Sequence, residues 1–180
     1  MRSLVRIQSS RPFLSTHYGC QLWQPFFANG NYHLGYYIRY IVSDDRPVSL
    51  QDIRIAFAEA GCGYEVDGEE SEATIVYDSR PIGHVTLNVP GDGLFDEERD
   101  ELIEFAQDSS DTNAQTRVVN TLREAQGIVA VQVLFGDGDT DQTLDRLAPL
   151  WTWLQANRRG LIQADGEGYY DGQELILPLE

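Results

Sequence analysis

The stretch 129–179 constrains this chain more than any other, because its hydrophobic period changes along it. Ile128-Val129-Ala130-Val131-Gln132-Val133-Leu134-Phe135 is apolar at all but one position, which suits a buried strand. An acidic loop follows, Gly136-Asp137-Gly138-Asp139-Thr140-Asp141. Beyond it Leu144, Leu147, Trp151 and Leu154 recur at i, i+3, i+7 and i+10, one face of a helix over 141–157 that Pro149 should kink or restart. Gly160-Leu161-Ile162-Gln163-Ala164-Asp165 and Gln173-Glu174-Leu175-Ile176-Leu177 read as two strands joined by a glycine-rich, mobile hairpin over 165–172. Strand, helix, strand, strand implies an α+β fold. Helices layered on an antiparallel sheet, ferredoxin-like in style, bury these faces most simply.

The same order occurs earlier. Tyr36-Tyr37-Ile38-Arg39-Tyr40-Ile41-Val42 is strand material. Ser49, with Asp52 three residues on, reads as a capping box, and Ile53, Ala56, Phe57 and Ala60 line one helical face. Strands are expected around 64–66, 73–77 and 82–89, the last with His84, Thr86 and Asn88 on a wet face and Val85, Leu87 and Val89 buried. A helix over 96–107, with Phe95 as a staple before an Asp96 cap, should bury Leu102, Phe105 and Ala106. A second helix should bury Val118, Val119, Leu122 and Ala125.

Asp67-Gly68-Glu69 and Asp165-Gly166-Glu167 end corresponding strands in the two halves. Residues 36–180 therefore read either as a single α+β domain or as two duplicated βαββ-type halves, 36–107 and 114–180. Residues 1–35 read as an N-terminal extension, partly disordered, with Trp23 and Phe27 packed. Residues 1–12 carry three Arg and no acid. Leu4-Val5-Arg6-Ile7-Gln8 back-translates to a string like the T-arm of a bacterial tRNA gene, so this start reads as a mis-assigned one.

Charge narrows the partners. The net charge is -16, and every one of the thirteen basic residues is Arg. Without residues 1–12 the balance is ten Arg against 29 acids, or -19. Such a chain is repelled by phosphate backbones and anionic membranes, so neither nucleic acid nor membrane is an expected partner. A protein partner fits better, and a homodimer is compatible. Cys20 and Cys62 have neither metal-site spacing nor disulfide density, which suits a cytoplasmic location. No apolar run is long enough to span a bilayer.

The candidate sites follow from local chemistry. Asp137, Asp139 and Asp141 present alternating oxygens to a divalent cation, although acids at a helix start also suit its macrodipole. The loop departs from the EF-hand pattern, with Gln142 at the sixth position and Ala148 at the twelfth. Glu167 and Asp171 are a candidate acid/base pair. Trp153 lies about 160° from Trp151 at ~100° per residue, so one indole faces in and the other out. An outward Trp153 with Arg158, Arg159, Tyr169 and Tyr170 makes a candidate binding patch. No cofactor motif is present.

The segment Leu150-Trp151-Thr152-Trp153-Leu154 through Gly160-Leu161-Ile162-Gln163 to Gly168-Tyr169-Tyr170 resembles a group of uncharacterised bacterial, cyanobacterial-type proteins. The resemblance covers the last third of the chain and implies no activity. Taken together, the residues point to a soluble binding or regulatory module. The alternatives are a small metal-dependent enzyme built on the 137–141 loop, and an acidic nucleic-acid mimic binding a basic protein.

Overall fold

A computed structural model describes residues 35–108, 111–136 and 140–179. The expectations for 1–34, including Trp23 and Phe27, lie outside them. The described residues form an α+β fold of eight strands and four helices: β1 (Tyr37–Val42), α1 (Leu50–Ala60), β2 (Tyr64–Glu69), β3 (Glu72–Tyr77), β4 (Arg80–Asn88), α2 (Leu94–Gln107), α3 (Thr112–Arg123), β5 (Gly127–Val133), α4 (Thr140–Asn157), β6 (Gly160–Ala164), β7 (Gly168–Asp171) and β8 (Glu174–Pro178).

All eight strands join one sheet in the order β2-β3-β4-β5-β1-β6-β7-β8, and every neighbouring pair is antiparallel. Counting alternations along that order makes β1 parallel to β2 and β5 parallel to β6. Their connections through α1 and α4 are therefore crossovers that skip intervening strands, as in split βαβ units. The strands of 36–107 and 114–180 interleave, with β5 lying between β4 and β1. The β2-β3-β4 meander runs from an edge inward, and β6-β7-β8 runs from the middle outward.

The sheet is covered on both faces. Ile38, Tyr40 and Val42 of β1 pack with Ile53 and Phe57 of α1 and Leu147, Trp151 and Leu154 of α4. The alternate residue Ile41 packs with Phe95 and Leu102 of α2 and Val118 and Leu122 of α3. Strand periodicity assigns Tyr37 and Arg39 to that second face. The second face is the more polar one: Arg39 lies opposite Gln163 and Ala130, where its counterparts on the first face are aliphatic or aromatic.

Several local expectations hold. Ser49 and Asp52 form the capping box, with each side chain accepting from the other's backbone N–H. Trp151 is buried and Trp153 half-buried. The hairpins are tight. Asp78 and Ser79, both at positive φ, form the two-residue turn between Tyr77 and Arg80, the backbone that a primed turn requires.

Others are corrected. Helix α2 starts at Leu94, two residues before the expected cap. Asp92 Oδ1, not Asp96, accepts from the Phe95 N–H at 2.6 Å. Phe105 is 50 % exposed, because α2 turns Phe95, Leu102 and Ala106 inward and leaves Phe105 to one side. Asn88 is buried and donates to Glu98 at 2.6 Å, while Val89 is exposed. Ala60 is exposed at the end of α1. Helix α4 runs through Pro149 as one element. The expected hairpin 165–172 contains a strand of its own, β7, because Tyr169 and Tyr170 alternate between the two faces: Tyr169 is fully buried in one core and Tyr170 packs against the other.

A candidate ligand cleft beneath helix α2

Helix α2 does not close over the sheet along its whole length. Between its C-terminal half and the ends of β1, β6 and β8 lies a cleft of about 540 Å³, lined by Arg39, Glu98, Glu101, Leu102, Phe105, Asp108, Gln163, Asp165, Gly166, Pro178 and Leu179. The reason is the helix's own sequence. With Phe95, Leu102 and Ala106 facing in, a turn of about 100° per residue fans Glu98, Phe105, Glu101 and Asp108 progressively away from the core, from about 60° to about 140° off the inward line. A helix whose next apolar residue stands off to the side cannot seal against a strand carrying Arg39 and Gln163.

Arg39 is the floor of the cleft. Its Nε donates to Glu98 Oε1 at 2.7 Å, and its Nη1 donates to Gln163 Oε1 at 2.7 Å and to Asp165 Oδ1 at 2.5 Å. The guanidinium also lies 5.0 Å from the centroid of the Tyr37 ring, a cation–π distance. The carboxylates are fixed in turn. Asn88 donates to Glu98 Oε2, and the Tyr37 N–H donates to Asp165 Oδ2 at 3.0 Å. Burial alone would lower the Arg39 pKa, but the charges of Asp165 and Glu98 outweigh it and hold the pKa above its ordinary value. Two carboxylates bound to one guanidinium leave the floor with a surplus negative charge. Tyr169 braces the other side of α2 by donating from its hydroxyl to the Leu102 carbonyl at 2.8 Å, and burial raises its pKa.

The mouth is different in character. Glu101, Phe105, Asp108 and Pro178 are exposed. Four carboxylates and one cation line the cleft, along with the apolar side chains of Leu102, Phe105, Pro178 and Leu179.

A second ion-paired arginine, this one buried, sits elsewhere. Arg158 follows α4 and its side chain is 1 % exposed. Its Nε donates to both oxygens of Asp44, at 3.1 and 3.0 Å, and its Nη2 donates to Asp44 Oδ1. Asp44 also accepts from the backbone N–H groups of Arg159 and Arg46. Burial pushes the Asp44 pKa up, but these donors outweigh it and hold the carboxyl below its ordinary value. Tyr40 donates to the Arg158 carbonyl at 3.0 Å; burial and then Asp44 push its pKa up to about 12. Gly160 lets the strands close here, since a Cβ would stand 2.1 Å from the Ile41 carbonyl oxygen.

The residues singled out from the sequence are dispersed by this geometry. Trp153 leans on the α1/α4 core, Arg158 is locked to Asp44, Arg159 is exposed, Tyr169 is buried under α2, and Tyr170 donates to Glu167 Oε2 at 2.7 Å. Arg158 and Tyr169 are buried and take no part in an exposed patch, whereas Trp153 and Tyr170 are partly buried against the same core cluster. Glu167 is held by Tyr36 and Tyr170, whereas Asp171 pairs with Arg117, so the two acids do not face each other as a pair. Asp137 and Asp139 lie outside the described residues; Asp141 is exposed in the first turn of α4. Among the described residues no group of three His, Cys, Asp or Glu side chains is placed to hold a metal ion, and no helix is long and apolar enough to cross a membrane.

The cleft residues were not foreseen as a site. One signal was available: Arg39 inside Tyr37-Ile38-Arg39-Tyr40-Ile41-Val42 and Gln163 inside Gly160-Leu161-Ile162-Gln163-Ala164 each break an otherwise apolar strand. Their pairing across β1 and β6 is a tertiary fact. Compared with protein-family models, curated proteins and solved structures, the chain gives no match.

Proposed function

We propose that this chain is a binding module with a protein partner, and that the cleft beneath α2 is its recognition surface. The observation that carries this reading is Phe105. It is a half-exposed aromatic beside Leu102, Pro178 and Leu179, standing over an ionic floor whose bonding groups are already satisfied. An aromatic anchor at the mouth of a preformed cleft is how a small number of residues comes to dominate a binding energy. The volume falls in the range of about 300–1,000 Å³ usual for ligand sites. Both oxygens of Glu98 and both of Asp165 already accept hydrogen bonds, which favours holding a ligand over transferring a proton to it.

The test uses the immobilised full chain and two exposed apolar residues. Phe105→Arg should abolish retention of the proteins captured by the wild type. Leu175→Arg, at a residue 45 % exposed and outside the cleft lining, should retain them. Both variants should melt as the wild type does. Unchanged capture by Phe105→Arg would place the recognition surface elsewhere.

A further inference from the structure

Resting on that reading, we infer that the cleft takes a basic, apolar peptide segment of the partner: arginine or lysine side chains flanking a bulky apolar one. The charges divide into two groups. Glu98 and Asp165 at the floor are consumed by Arg39, Asn88, Gln163 and the Tyr37 N–H. Glu101 and Asp108 at the mouth are exposed, and their carboxylates have no hydrogen bond or ion pair among the described residues. Asp108 directly follows α2 and stands seven residues from Glu101, about 10 Å along the helix axis, with Phe105 between them. This is an acid–aromatic–acid stripe facing solvent over a cleft.

The helix adds to it. The C-terminal end of α2 lies at the mouth, and no basic residue occupies its last turn. The macrodipole there is negative and draws a cation. The Arg39 floor does not oppose this, because its charge is exceeded by the two carboxylates bound to it. An anionic ligand would meet Glu101, Asp108 and the helix terminus together. An uncharged apolar ligand would use Phe105, Leu102, Pro178 and Leu179 but would leave both mouth carboxylates unpaired. A cation joined to an apolar body satisfies both sets at once. A peptide supplies two cations at this spacing with an apolar group between them, whereas a small aromatic amine supplies one.

The experiment measures fluorescence polarisation of a labelled Arg-Leu-Trp-Leu-Arg peptide with the full chain at low salt. Glu101→Gln with Asp108→Asn should weaken binding by roughly two- to twentyfold, since exposed charge pairs each contribute a factor of about 1.4 to 5. Phe105→Ser should weaken it by about tenfold, as for an aromatic anchor. Glu65→Gln with Asp67→Asn, which removes the same charge from exposed positions on β2, should change it by less than about twofold. The Gln-Leu-Trp-Leu-Gln peptide should bind more weakly by a similar factor, and should lose nothing further in the Glu101→Gln, Asp108→Asn variant.

Equal loss from the β2 pair would overturn the inference in favour of general acidity. So would benzylamine competing as strongly as the peptide, which would make a small amine the ligand. Arg2→Gln, Arg6→Gln and Arg11→Gln together leave the cleft lining unchanged; tenfold tighter peptide binding in that variant, but not in the charge-matched Arg80→Gln, Arg123→Gln, Arg159→Gln variant at exposed positions, would make this chain's own N-terminal segment the occupant and overturn the partner's. If the peptide fails to bind while Phe105→Arg still abolishes capture, the ligand class falls and the binding module stands. If neither responds, both fall.

Discussion

Arg158, which is buried, and Arg39, which is half-buried, have the same partners in kind and opposite consequences. Arg158 meets one carboxylate, Asp44, and its guanidinium is sealed, the arginine side chain 1 % exposed against 18 % for Asp44. Arg39 meets two carboxylates and an amide with its side chain 14 % exposed, and it opens onto a cleft. Charge balance separates them. A one-to-one pair is neutral and can be closed over. It ties the loop after β1 to the end of α4, where the Ser43 N–H also donates to the Arg159 carbonyl. A one-to-two cluster carries surplus charge, which is costly to bury fully, and the fold leaves it next to solvent. The first is a latch between elements. The second forms the floor of a surface that can receive something.

The largest effect expected from this contrast is at the latch. Asp44→Ala leaves the sealed Arg158 guanidinium without its partner, and breaking a buried pair from one side costs about 3–5 kcal/mol. Urea denaturation should show that loss. Arg39→Ala should cost less, about 1–3 kcal/mol, the penalty for stranded polar groups, because water entering through the cleft re-solvates Glu98 and Asp165. If the two variants lose the same amount, the sealed-versus-open distinction is wrong.

Acid sharpens the comparison further. The folded Asp44 pKa is depressed below 3.8. A depressed carboxyl contributes stability that is fully present above its unfolded pKa and is lost as pH falls through the folded one. Denaturation midpoints followed downward from pH 5 should therefore show an acid step below about pH 3.8. Asp44→Asn should remove that step and Arg39→Ala should keep it. The smallest effect is at the cleft mouth. Phe105→Ser should leave the unfolding free energy within about 0.5 kcal/mol, as surface substitutions do. A loss of several kcal/mol would mean that Phe105 belongs to the core, as its sequence position first suggested.

That residue shows where sequence reading stops. Helical spacing correctly assigned Leu102 and Ala106 to the core, yet it also included Phe105, which lies about 100° from Ala106. Only the tilt and reach of α2 against β1 decide which side of an apolar arc is covered. Tyr169 shows the same limit from the other side. In a run of Asp, Gly, Glu and Tyr it read as a hairpin tip, but alternation in β7 carries it under α2, where its hydroxyl finds the Leu102 carbonyl. Arg158 read as an exposed cation because nothing in the neighbouring sequence announces Asp44, 114 residues away.

By itself the sequence determined what depends on near neighbours: the α+β alternation, the Ser49 capping box, the inward faces of α3 and α4, and the opposition of Trp151 to Trp153. These follow from period and capping, whose physics acts over a few residues. The tertiary structure alone decided the strand order, in which β5 inserts between β4 and β1, and with it the site. Arg39, Glu98, Gln163 and Asp165 come from three separated segments, and strand pairing and helix tilt bring them together. Hydrogen bonds and charges act over a few ångströms in space, so a chemistry assembled across 59 to 126 residues of chain leaves in the linear order only an arginine where an apolar residue would be expected.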